Sequence, residues 1–168
     1  MSGSAGTVVL ELTRIEAVHL RGLVGQFVDL LAETADADTD PAVARLVPSA
    51  YPDDDASAAE FRSLTQSDLL RRRADDAGAV LADLAMAGDV SDPQELRPED
   101  ALSEVVIVLD RDRTSAWLRT LAAVRLVLAS RLGITSEDDR DADDPRFGVY
   151  EWLGYRLDGL TVAASVDD

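Results

Sequence analysis

The sequence predicts a mainly α-helical single domain, a compact bundle of about four to five helices with a small two-stranded sheet. The chain has 168 residues, of which 46% are hydrophobic, so it can build a core of its own. Apolar residues recur every three or four positions over long segments, which is the helical period. Two short β-branched runs, from Val8 to Leu12 and from Val105 to Leu109, are typical of strands. A lone strand leaves its backbone groups unpaired, so we expect the two runs to pair.

A helix is predicted directly after the first strand. Thr13 and Glu16 have the spacing of a capping box, and apolar residues then follow one face as far as about Glu33. The second strand is likewise followed by a capping residue, Asp110, and a long helix. This similarity fits either a duplicated strand-plus-helix module or coincidence, and we prefer coincidence because two copies are few.

The next segment, residues 34–55, is expected to be mostly loop. It is acidic as far as Asp40, where an Asp-Pro pair favours the start of a short helical turn through Leu46. Two prolines, Pro48 and Pro52, and the three aspartates at 53–55 then disfavour regular structure.

Two separate helices are predicted in residues 57–88. The first is short and covers about residues 57–63. Thr65 and Asp68 then form a helix start signal, and an apolar stripe continues to Gly88. The acidic stretch 89–100, which contains two prolines, is expected to be a long loop.

The strongest helical pattern runs from about Arg113 to Leu132. Trp117 lies on its broad apolar face, and Gly133 ends it in the manner of a left-handed cap. We expect this helix to be the central element around which the others pack.

A last helix is predicted from Pro145 to about Ala164, with Trp152 on its apolar face. The whole chain, residues 1–168, is interpreted as one domain. Residues 1–6 and 165–168 are expected to be flexible, as chain ends usually are.

Composition excludes several classes of function. The chain has 33 acidic and 16 basic residues, a net charge of −17, and every basic residue is Arg. Such a surface repels phosphate backbones, so direct DNA binding is not expected. With no Cys there is no disulfide, thiolate nucleophile or cysteine metal site. The chain has no cationic apolar leader and no run of about 18 apolar residues, so we expect a cytoplasmic protein without membrane contact.

Two aspartate runs imitate the first half of a calcium-binding loop. They fall at positions 36, 38 and 40 and at positions 139, 141 and 143. Neither has Gly at the sixth position or Glu at the twelfth, so we interpret both as solvated acidic loops and expect no metal and no cofactor. His19, the only histidine, has no nucleophile in a recognisable setting beside it. We expect it to form a hydrogen bond at a helix edge and assign no catalytic residue.

The one basic cluster consists of Arg71, Arg72 and Arg73. Arg71 stands four residues before Asp75, and Arg72 four before Asp76, which favours local ion pairs on a solvated helix face over contact with phosphate.

Arg125 is the most informative charged residue, because the helical period places it inside the apolar stripe of the strongest helix. A buried guanidinium without a partner is costly, so we expect a carboxylate to face it, with Glu151 or Glu60 as candidates. A structural ion pair is the preferred interpretation, and a polar binding site is the alternative.

Three groups of segments resemble one protein family. They are RLVPSAYPDDD with EFRSLT at residues 45–55 and 60–65, WLRTL with VRLVLASRLGI at 117–121 and 124–134, and VYEWLGY at 149–155. On these segments the chain resembles an actinobacterial domain-of-unknown-function family whose genes often lie beside that of the ClpS protease adaptor.

The resemblance implies a regulatory role. Members of that family are described as transcriptional regulators, with a proposed oxidative-stress function through a sigma factor and cysteine oxidation. Thiol sensing cannot apply to a chain without Cys. Ala122 and Ala123 stand where the family would have an Asn-Asp pair, and Arg156 where it would have Gln. The resemblance therefore transfers no catalytic residue.

We expect a non-enzymatic regulatory protein that binds a protein partner, with the transcription machinery as one candidate. A flat exposed patch around Trp152 and Tyr155 would favour that function. The alternative is a small-molecule-binding or hydrolytic module that uses Arg125 and nearby carboxylates, and a deep polar pocket would favour it. Homodimer formation stays open.

Overall fold

The order of elements is strand, three helices, strand and two helices in a computed structural model, which describes residues 6–34, 40–47, 56–88, 92–139 and 143–166. Short 3-10 turns occur at Pro93–Glu95 and Glu137–Asp139. The main elements are β1 (Val8–Thr13), α1 (Arg14–Glu33), α2 (Pro41–Ala44), α3 (Ala56–Met86), β2 (Glu104–Leu109), α4 (Arg111–Leu132) and α5 (Pro145–Val166). The predicted mainly α-helical fold with a small two-stranded sheet is therefore confirmed.

Several predictions concern residues outside the described ranges. These are the chain breaks at Pro48, Pro52 and 53–55, the aspartates at 36, 38 and 141, and the terminal residues 1–5 and 167–168. Ser165 and Val166, expected in a flexible tail, are the last two residues of α5. Among the helices of the described ranges, none is both long enough and apolar enough to cross a membrane.

The sheet consists of β1 and β2, paired antiparallel with Val8 opposite Leu109. Because side chains alternate along a strand, each strand has one buried and one exposed face. The buried face packs on the helices. The exposed face carries Val9, Val106 and Val108, each at least half exposed.

Helix α1 begins with the predicted capping box. The Glu16 backbone N–H donates to the Thr13 hydroxyl, and the Thr13 N–H donates to the Glu16 carboxylate at 2.8 Å. This reciprocal pair satisfies two N–H groups that the start of a helix leaves free. It also fixes Glu16 at the junction of β1 and α1.

Helix α3 is one continuous helix, so the prediction of two helices in this region is wrong. The Thr65 hydroxyl, predicted to cap a new helix, donates instead to the Phe61 carbonyl one turn earlier at 2.9 Å. Thr65 therefore sits inside a helix without breaking it. In the first half of α3, Phe61 is 73% exposed and Leu64 is 66% exposed, whereas Val80 and Leu84 in the second half are buried in the core.

Helix α4 is the central element, as predicted. It contacts α1, α2, α3, α5 and β2, and its Trp117 is fully buried. Gly133 ends the helix with φ of 71°, in the left-handed region, and the Ile134 N–H returns to the Ala129 carbonyl at 2.8 Å. The helix starts two residues earlier than predicted, since the Asp110 side chain accepts from the Arg113 N–H.

A buried carboxylate joins α3 to α4. Asp83 is 7% exposed and accepts a hydrogen bond from the Trp117 indole N–H at 2.8 Å. The Arg113 guanidinium donates to both oxygens of the same carboxylate. A buried charge is stable only when paired in this way.

Candidate functional site

An apolar groove lies between α1 and α5 and has a volume of about 690 Å³. Gly22 and Leu23 contribute to one wall, Val149 and Trp152 form the other, and Pro93 closes one side. On α1 the lining residues recur every three or four positions, and on α5 Val149 and Trp152 are three residues apart, so each helix presents one face to the groove. Ile15, Glu16, Val18, His19, Gln26 and Gly148 complete the lining.

Glu16 forms the polar end of this groove. One carboxylate oxygen accepts from the Trp152 indole N–H at 2.8 Å and from the Arg156 Nε at 3.1 Å, and the other accepts from Thr13. The Arg156 Nη1 donates in addition to the Glu11 carbonyl on β1 at 3.1 Å. Glu16 therefore ties the start of α1 to the middle of α5.

The surroundings of Glu16 hold it as a carboxylate. Burial raises the pKa of Glu16, but hydrogen bonds from Arg156, Thr13 and Trp152 and the charge of Arg156 outweigh burial. The net effect lowers the pKa from 4.5 to about 2. At neutral pH this end of the groove is a charged and fully engaged cluster, while the walls beyond it are apolar.

Exposed acidic side chains follow two parts of the groove lining, Gln26 on α1 and Pro93. Asp29 and Glu33 follow Gln26 on α1 by one and two helical turns, and Asp92 and Glu95 flank Pro93; all four are exposed. No arginine belongs to the groove lining within the described ranges. An apolar segment carrying positive charges at its edges would complement this surface.

A second cavity, of about 400 Å³, lies between α4 and α5 beside the end of α2. Two arginines, Arg45 and Arg125, line it together with Tyr150, Thr135 and Ser136. Its remaining lining is apolar and consists of Ala122, Leu126, Ala129, Ile134 and Leu157.

The prediction that a carboxylate faces Arg125 is wrong. Arg125 is partly exposed, its Nε donates to the Tyr150 carbonyl at 3.3 Å, and its guanidinium carbon lies 4.0 Å from the centre of the Tyr150 ring. Glu60 and Glu151, the predicted partners, are exposed, and Arg125 forms no ion pair with any described residue. An aromatic face and a backbone carbonyl take the place of the expected acid.

The structure separates the two predicted aromatic site residues. Trp152 is half-buried in the groove wall, and its N–H is bound by Glu16. Tyr155 is 71% exposed and is not part of the groove lining; its ring lies 5.7 Å from the Arg156 guanidinium carbon.

The expected ion pairs of the basic cluster are also wrong. Arg71 pairs with Asp68 at 2.9 Å, and Asp76 pairs with Arg119 of α4 at 2.8 Å. Arg73 turns inward and donates to the Leu46 carbonyl at 3.2 Å. The three arginines therefore do not form one exposed cationic surface.

The remaining candidates for chemistry are placed apart from one another. His19 is exposed on the groove, and the expected hydrogen bond to it is not formed within the described part of the chain. Asp139 accepts from the Thr135 N–H and hydroxyl and from the Ser136 N–H, which lowers its pKa to about 2. Across the described ranges, no three acidic or histidine side chains converge to hold a metal ion.

A protein-family model described as Domain of unknown function (DUF2017) matches residues 1–164. The chain belongs to this family. No curated protein and no solved structure shows a significant match to this chain. The predicted membership in a family of unknown function is thus confirmed, and the match covers nearly the whole chain.

Sequence reasoning missed Glu16 and Asp83 as partners of the two tryptophans. A buried indole N–H usually needs an acceptor, so the predicted burial of Trp117 and Trp152 already indicated that two acceptors must exist. Which acidic residues supply them could not be read from the sequence, because Glu16 and Trp152 are 136 residues apart.

Proposed function

We propose that this protein is a non-enzymatic regulator that works in the cytoplasm by binding a protein partner in the groove between α1 and α5. The observation that carries the proposal is the groove itself, an open apolar cavity of about 690 Å³ between two helices. Recognition of an amphipathic helix in an apolar groove is a recurrent mode of protein binding.

The charge around the groove indicates which class of protein segment it can bind. The exposed acidic groups beside the groove and the net charge of −17 favour a segment with apolar anchors and flanking basic residues. Because the groove has no free cation among its described lining residues, an acidic segment would be repelled.

A role in transcription or in a stress response is the more specific part of the proposal. It rests on the resemblance to a family of transcriptional regulators, so components of the transcription machinery are the first partners to test. Direct contact with DNA is not proposed, because Arg71 and Arg119 are engaged by acidic residues. Oxidation of cysteine cannot supply the signal in this chain, which has none.

The alternative of a hydrolytic module lacks support from the structure. It required a buried pair of Arg125 with a carboxylate, whereas Arg125 contacts Tyr150. The single histidine lies on the groove, away from the lining of the arginine cavity.

Two valines on α5 provide a matched test. Val149 lines the groove and is 40% exposed, whereas Val162 is 65% exposed and is not part of its lining. Partners are first recovered from the host with three tagged proteins: the wild type, Val149→Asp and Val162→Asp. Each recovered partner is then purified, and its affinity for each of the three proteins is measured by titration. We expect Val149→Asp to weaken binding about tenfold or more, since it places a charge on an apolar contact surface.

Val162→Asp should bind within about twofold of the wild type, because it adds the same charge outside the groove. Equal binding by both variants would show that the partner docks elsewhere and would overturn the groove proposal. A partner that depends on Val149 but does not belong to the transcription machinery would leave the groove in place and remove the transcriptional role.

A further inference from the structure

The cavity between α4 and α5 brings two arginines together, and its described lining contains no acidic residue. Arg45 and Arg125 both line it, and neither forms an ion pair with a described residue. Seven arginines elsewhere do form such pairs, and the chain has 33 acidic residues against 16 basic ones. Two unpaired cations in one cavity are therefore not a consequence of a shortage of acids.

Arg125 is held in place by contacts that leave its charge unneutralised. Its Nε donates to the Tyr150 carbonyl, and its guanidinium group stacks on the Tyr150 ring. Gly154 on α5 permits this position, since a Cβ there would lie 3.0 Å from Nε and 3.1 Å from Nη2. The guanidinium is thus fixed against α5 before any ligand arrives, which lowers the entropy cost of binding.

Arg45 reaches the same cavity from the end of α2. Helix α2 is anchored to α4 by the ion pair of Asp40 with Arg131, with an N–O distance of 2.7 Å. Arg45 is exposed, so it remains free to turn toward a bound anion. An arginine presents several N–H donors in a planar fork, which suits carboxylate and phosphate oxygens.

The remaining lining residues indicate which chemical group would accompany an anionic group in this cavity. Leu126, Ala129 and Ile134 provide an apolar wall. Thr135 and Ser136 already donate to Asp139, so the negative charge of Asp139 disfavours an anion at that end. The anionic group therefore belongs between the two arginines, and an apolar body belongs against the wall.

We propose that this cavity binds a small amphiphilic acid, whose carboxylate or phosphate group lies between Arg45 and Arg125 and whose apolar part covers Leu126, Ala129 and Ile134. The volume of about 400 Å³ falls within the range of small-molecule sites. The site is separate from the groove, because Tyr150 and Leu157 face the cavity while Val149 and Trp152 face the groove.

The test uses two acids and their neutral counterparts at constant ionic strength. Octanoate and phenyl phosphate are titrated by calorimetry into the full-length protein, with octanamide and phenol as matched neutral compounds. We expect at least one acid to bind with a Kd below about 1 mM and its neutral counterpart to bind at least about tenfold more weakly. Octanoate alone would identify a carboxylate site, and phenyl phosphate alone a phosphate site.

Four variants test the assignment. Arg125→Met and Arg45→Met should each weaken binding about tenfold, because each removes one charged hydrogen-bond donor. Gly154→Ala keeps every charge but crowds the Arg125 guanidinium and should weaken binding as well. Arg72→Met removes an exposed arginine of α3 and should leave the Kd unchanged.

Three results would overturn the site: no binding of either acid at about 10 mM, equal affinity for acid and neutral compound, or an equal loss in Arg72→Met. Thermal unfolding of each variant separates a loss of binding from a loss of fold. The outcome does not depend on the partner proposal, because no groove residue is changed and no partner is present.

Discussion

At the residue scale, the junction of α3 and α4 depends on Asp83, which accepts from the Trp117 indole and from Arg113. Replacing Asp83 by Asn removes the charge that Arg113 requires and turns one acceptor into a donor that faces other donors. We expect Asp83→Asn to lower the free energy of unfolding by about 3 kcal/mol in urea titrations.

Asp76 offers a matched control for Asp83, since it also joins α3 to α4 through an arginine, Arg119. The Asp76 side chain is 20% exposed and its partner Arg119 is 58% exposed, whereas Asp83 is 7% exposed and its partner Arg113 is 38% exposed. Asp76→Asn should therefore cost less than about 1 kcal/mol. Similar losses in the two variants would contradict a special role for the buried carboxylate.

The pH dependence of stability should reveal how much the charge of Glu16 contributes to folding. Its folded-state pKa is lowered from 4.5 to about 2, so its stabilising effect is complete above pH 4.5 and is lost as the pH falls toward 2. Glu16→Gln keeps an acceptor oxygen for Thr13, but it loses the charge and turns an amide donor toward the Trp152 and Arg156 donors. We expect the wild type to be more stable than this variant by on the order of 2 kcal/mol at pH 7.

Urea unfolding of the wild type and Glu16→Gln at several pH values measures this difference in stability. The titration of the other carboxylates affects both proteins alike, so it largely cancels in the difference. The difference should shrink steadily between pH 4.5 and pH 2. A difference that stays constant over this interval would show that the charge of Glu16 does not contribute.

At the scale of elements, the end of α4 depends on a glycine. Gly133 has a φ of 71°, which is unfavourable for any residue with a Cβ. Gly159 lies inside α5, and a Cβ there would have no atom within 4 Å. We expect Gly133→Ala to destabilise the protein by about 1 kcal/mol and Gly159→Ala to stabilise it by up to about 1 kcal/mol.

Thermal unfolding distinguishes these opposite signs, since Tm should fall for Gly133→Ala and rise for Gly159→Ala. The substitution is the same chemical change in both cases, so only the backbone conformation differs. An increase in Tm for Gly133→Ala would contradict the left-handed cap.

The element boundaries also show what local sequence can and cannot decide. The capping box at Thr13 and the glycine cap at Gly133 were predicted correctly, because a cap acts within a few residues. The helix break predicted before Thr65 is wrong, because a hydroxyl that can cap a new helix can also donate to a carbonyl one turn earlier in a continuous helix. Sequence alone does not choose between these two uses.

At the scale of the whole molecule, the net charge of −17 should make stability depend on salt. Excess negative charge repels itself in the compact state, and salt screens that repulsion. We expect Tm to rise when NaCl is increased from about 10 mM to about 200 mM. Surface ion pairs weaken at the same time, but each contributes little. A fall in Tm would show that these pairs outweigh the repulsion.

By itself the sequence determined the fold class, the pairing of two strands, most helix ends and the central position of the Trp117 helix, because periodicity, capping and composition act locally. Only the tertiary structure decided which polar side chains meet. Helical periodicity gives the direction of Arg125 on α4 but not what α5 places opposite it, which is Tyr150. Likewise, Glu16 at the start of α1 bonds to a tryptophan 136 residues away because the fold brings that turn beside the middle of α5, and no local pattern encodes this approach.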